Sequence, residues 1–209
     1  MTLDPEFKKA LQLLPDVEKD KLILRLLKHD LNLANKLRFE LVDIDSAEDK
    51  REQLKNRMIK RIELATERYY SPGILLMDIR EISGEINEHV SITKDKFGEI
   101  SLNCIMLSKL LELNNERLGV ETYSKAYTLY IYIVARIFKI LMLIQKQHED
   151  LHIEFQENIE TIGELIGNNQ NLTKIGIRNG LDVNWLIQFE IPKNIADIYK
   201  TLRESGLLK

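Results

Sequence analysis

Residues 129–144 read LYIYIVARIFKILMLI, a run interrupted only by Arg136 and Lys139. Such a segment can fold in two ways: as a membrane span or as the central helix of a soluble helical protein. Two cations in the middle of a span would each cost about 2.5–3.5 kcal/mol on insertion scales. At 100° per residue, Lys125, Tyr132, Arg136, Lys139 and Lys146 fall on one narrow seam, and the rest of the cylinder is apolar. The pattern predicts a core helix with one edge in water, not a helix in lipid.

Punctuation extends this reading to the whole chain. Nine glycines and four prolines in 209 residues leave little material for a turn-rich β architecture, so the fold class is all-α. Pro5–Leu14 reads as a short helix stopped by Pro15. Asp16 opens a second, with Leu22, Ile23, Leu26 and Leu27 on one face, and Leu31–Val42 makes a third. Four long helices follow, near residues 46–70, 72–93, 99–118 and 121–165. Ser46 with Asp49 resembles a capping box, Ser71-Pro72 places a cap and a proline at a helix start, and Gly119 closes the third. After Gly167 the helical signals are short. The expected organisation is a short-helix region over 1–45, a long-helix body over 46–167 and a short-helix tail over 168–209. Short connections make neighbouring long helices antiparallel, as a bundle or as stacked hairpins.

A chain of this length buries roughly 70% of its unfolded surface and needs no disulfide for stability. The single cysteine, Cys104, favours a reducing, cytoplasmic setting, and Pro5-Glu6-Phe7-Lys8-Lys9 carries charge where an export signal needs an apolar run. A net charge of −3 points to no nucleic-acid or membrane partner through the bulk field.

One stretch spells a catalytic motif. His148-Glu149-Asp150-Leu151-His152 matches H-E-x-x-H, in which two histidines one helical turn apart hold zinc and the glutamate acts as base. Asp150 puts a charge where the motif takes an uncharged residue, and no further glutamate follows on a second helix. His89, on another long helix, could supply a third imidazole. One histidine on an early helix with an H-x-x-x-H pair on a late one resembles the DinB-like four-helix family. That resemblance covers His89, His148 and His152, and implies one divalent metal, such as zinc or nickel, held by these three histidines. The helical wheel favours a plainer arrangement. Were the helix unbroken, His148 would share the stripe of Ile144, Leu151, Phe155 and Ile159, buried without a metal, with His152 at its margin.

Other candidates carry less. Glu149 and His152 make a single E-x-x-H, where a di-iron site needs two such pairs. The run Glu154, Glu157, Glu160 and Glu164 reads as a solvated acidic face. The helix with Lys50, Arg51, Lys55, Arg57, Lys60, Arg61 and Arg68 could contact phosphate, but Glu48, Asp49, Glu52, Glu63 and Glu67 interrupt it. Tyr69-Tyr70 and Tyr123, Tyr127, Tyr130 and Tyr132 read as packing residues with wet hydroxyls, and Trp185 as the anchor of the tail. No phosphate-cradling loop and no C-x-x-C occurs. The expectation is an interaction or scaffold protein with no cofactor, acting on a protein partner or on itself. A metal-dependent enzyme is the alternative, and weak nucleic-acid binding through 50–68 the third.

Overall fold

Every helix that the punctuation calls for forms, with one break in the longest. A computed structural model of the chain describes residues 4–208, and the fold is all-α. Three short helices lead: α1 (Pro5–Leu13), α2 (Asp16–His29) and α3 (Leu31–Leu41). The long ones are α4 (Ala47–Glu67), α5 (Pro72–Thr93), α6 (Lys96–Val120) and α7 (Tyr123–Ile144). A 3₁₀ segment, Glu149–Phe155, leads into α8 (Gln156–Gly167), and the tail holds α9 (Gln170–Arg178), α10 (Asn184–Ile187) and α11 (Ile195–Glu204).

The starts are set by local hydrogen bonding. The Ser46 hydroxyl accepts from the Asp49 N–H while the Asp49 carboxylate accepts from the Ser46 N–H, satisfying two donors that a helix end otherwise leaves bare. The Ser71 hydroxyl accepts from the Ile74 N–H, and Pro72 occupies the first helical position, where its missing N–H costs nothing. α5 ends on Lys94, whose left-handed backbone (φ 61°) turns the chain directly into Asp95, the cap of α6. Gly119 lies inside α6, which runs one residue beyond it.

Contacts between side chains give the helix directions. Arg61 of α4 pairs with Glu81 and Glu85 of α5, and Arg51 lies near the far end of α5, so α4 and α5 are antiparallel. Arg51 meets Asp95 and Thr66 meets Asn114, which makes α4 and α6 parallel. Lys139 reaches Glu99, Arg136 reaches Asn103 and Tyr130 reaches Leu118, which sets α7 antiparallel to α6. The long helices therefore alternate up and down, as short joints require.

α7 is the central helix that its composition demands. Ile133, Val134, Ile137, Phe138 and Leu141 are buried, and its cations are held at the protein edge. Arg136 donates to Asn103 Oδ1 and to the Tyr132 hydroxyl, and Lys139 Nζ sits 2.8 Å from Glu99. It is long and apolar enough to cross a membrane by length and composition alone. Here its apolar surface packs on α5, α6, α9 and α11.

The predicted helix over 121–165 is not continuous. α7 stops at Ile144, Gln145–Gln147 turn, and His148 has extended backbone (φ −62°, ψ 142°). The charges explain the break. Lys146 suits the negative end of a helix, and Glu149 and Asp150 suit the positive end of the next. The break lets α8 fold back beside α6, where Ile159, Ile162 and Ile166 are buried. The tail joins the same core through Leu172, Ile175, Leu181, Leu186, Ile195 and Leu208. α1, α2 and α3 contribute no residue to it.

Candidate functional site

The three histidines singled out by sequence do not converge. His148 is exposed (75% of its side chain), contrary to the core position expected of it, because the helix that would have carried it inward ends four residues earlier. Its Nδ1 accepts from the Asp150 N–H, so it caps the 3₁₀ segment. His152 is half-buried, its Nε2 3.3 Å from the Gln147 carbonyl. With His148 in extended backbone, the pair lacks the one-turn helical spacing that H-E-x-x-H relies on. His89 lies elsewhere, buried at the end of α5. Among the described residues, no three His, Cys, Asp or Glu side chains are grouped so as to hold a metal ion.

His89 belongs instead to a cluster that sequence reading missed. Its Nε2 is 3.2 Å from Asp95 Oδ2. Asp95 is only 9% exposed, accepts the Gly98 N–H at 2.8 Å as cap of α6, and faces Arg51 of α4 at 3.3 Å through both carboxylate oxygens. Burial raises the Asp95 pKa, but hydrogen bonds from His89 and the Gly98 N–H, with the Arg51 charge, outweigh it and hold the carboxyl below its usual range. The Arg51 guanidinium also lies over the Phe97 ring, which packs on Phe155. One carboxylate thus ties the ends of α4, α5 and α6 together. The signal in the sequence was Asp95 three residues before Gly98, an N-cap in the stretch left between the predicted helices 72–93 and 99–118.

Beside this cluster a cleft of about 570 Å³ opens between α3, α4 and α5, lined among others by Arg38, Asp43, Lys50, Arg57, Glu85 and His89. Its charges answer one another. Asp43 pairs with Lys50 at 2.6 Å and Arg38 at 3.5 Å, and Arg57 approaches Glu85 at 3.9 Å. Both oxygens of Asp95 are committed to capping and to ion pairs, and the Thr93 hydroxyl donates to the His89 carbonyl. The Thr93 hydroxyl also lies 3.5 Å from the His89 Nε2 that faces Asp95, so these three side chains close the turn between α5 and α6 as a joint. The one thiol, Cys104, is buried. Burial alone pushes the pKa of Cys104 up to about 12, so it stays protonated.

The basic helix α4 is largely neutralised. Lys50, Arg51, Lys55, Arg57 and Arg61 each have an acidic partner within ion-pair distance. Glu154, Glu157 and Glu164 are exposed, while Glu160 is half-buried and accepts from Gln156 Nε2. Tyr130 departs from its expected wet hydroxyl: it is fully buried and donates to the Leu118 carbonyl at 2.7 Å. Trp185 packs on the core from the tail.

The unusual surface is N-terminal. Leu13, Val17, Leu24, Leu31 and Leu41 are each more than half exposed, with Ile23 and Leu26 close by in α2. α3 alone packs on the long helices, against α5, and α2 packs on α3. The attachment combines half-buried Ala34, Leu37 and Phe39 of α3 with polar contacts. Ser91 donates to Asn32 Oδ1 at 2.8 Å, Asp43 pairs with Lys50, and Lys50 lies over the Phe39 ring. No family of known proteins, no curated protein and no solved structure matches the chain.

Proposed function

We propose that this chain is a helical docking protein without catalytic chemistry of its own, and that residues 5–44 are the element that docks. One observation carries the reading. Three consecutive helices leave large apolar side chains in water and give none to the core, which the chain from Leu54 onward supplies. Exposed apolar surface costs free energy in proportion to its area, and a contiguous patch of it marks a contact surface.

The test is capture from the native host by the full chain and by a variant with Ile23→Ser, Leu24→Ser and Leu26→Ser. Proteins or further copies held by the first and lost by the second support docking, provided both melt at the same temperature. An identical capture set from both would overturn it.

A further inference from the structure

We draw no further inference here: the strongest candidate, the apolar surface patch that Val17, Ile23, Leu24 and Leu26 leave exposed on α2 of the N-terminal arm, belongs to the docking surface already described, and nothing in the structure shows what covers it.

Discussion

Between Leu54 and Leu208 the helices share one core, while between Pro5 and Ile44 three helices of ordinary length bury nothing completely. Composition does not separate the two regions. α2 carries Leu22, Ile23, Leu24, Leu26 and Leu27, and α8 carries Ile159, Ile162, Leu165 and Ile166. Both are amphipathic and both have capable helix formers. What separates them is the presence of a neighbour: α8 lies along α6, α9 and α10, and α2 touches chiefly α3. An apolar stripe states that a helix needs a partner, but not whether the partner lies in the same chain.

The strongest way to break this comparison is to remove bulk from the body. Phe138 is fully buried in α7 and stacks near Tyr199 of α11 at 5.6 Å. Phe138→Ala should cost about 3–5 kcal/mol in urea unfolding, through lost transfer energy and the cavity left behind. A loss below about 1 kcal/mol, the size of an unremarkable substitution, would show that the core does not centre on α7.

Next comes the joint. Asp95→Ala removes the cap of α6 and leaves Arg51 and His89 without their carboxylate, and should cost about 2–3 kcal/mol. The pH dependence has a definite sign. Asp95 titrates below its ordinary value of 3.8 in the folded chain, so the unfolded chain takes up its proton first as the solution is acidified. Its contribution is complete above that ordinary value and disappears as pH falls through the lower, folded value. Unfolding curves from about pH 5 to about pH 2 should therefore fall more steeply for the natural chain than for Asp95→Asn. Parallel curves would remove the joint from the account of stability.

A subtler probe is Gly163, where a Cβ would sit 2.9 Å from Leu186 Cβ and 3.0 Å from the Ile187 backbone nitrogen. α10 would have to move off α8, so Gly163→Ala should destabilise by about 1–2 kcal/mol despite the better helix propensity of alanine. A gain in melting temperature would mean the tail packs more loosely than described. The smallest effect sharpens the contrast most. Leu24→Ala in the arm should leave the unfolding free energy of dilute protein unchanged within about 0.5 kcal/mol. A core-sized loss there would place α2 inside the cooperative unit.

Much of the fold was legible because helix starts are local chemistry. Ser46 with Asp49, and Ser71 before Pro72, act within four residues of themselves, and the structure uses them as read. The break after Ile144 was also written locally, in Lys146 followed by Glu149 and Asp150, but the apolar period of Ile144, Leu151, Phe155 and Ile159 bridges it by coincidence. Following that period through the break carried His148 into a core that it never enters. The joint around Asp95 was hidden for a different reason. Arg51 is distant in sequence, and Lys94 must take a left-handed conformation before Asp95 can face His89. Hydrophobic periodicity carries no information about either.

The attachment of the arm through α3 has a consequence for how the molecule moves. Asn32 with Ser91 joins α3 to α5, Asp43 with Lys50 joins the segment after α3 to α4, and neither contact involves a residue of the core. The arm and the body are then two units with different opening free energies, the first small and sensitive to salt, the second equal to global unfolding. Amide hydrogens of α2 and α3 should exchange with solvent through frequent local excursions that never visit the unfolded state. Those of α6 and α7 should wait for the whole body to open.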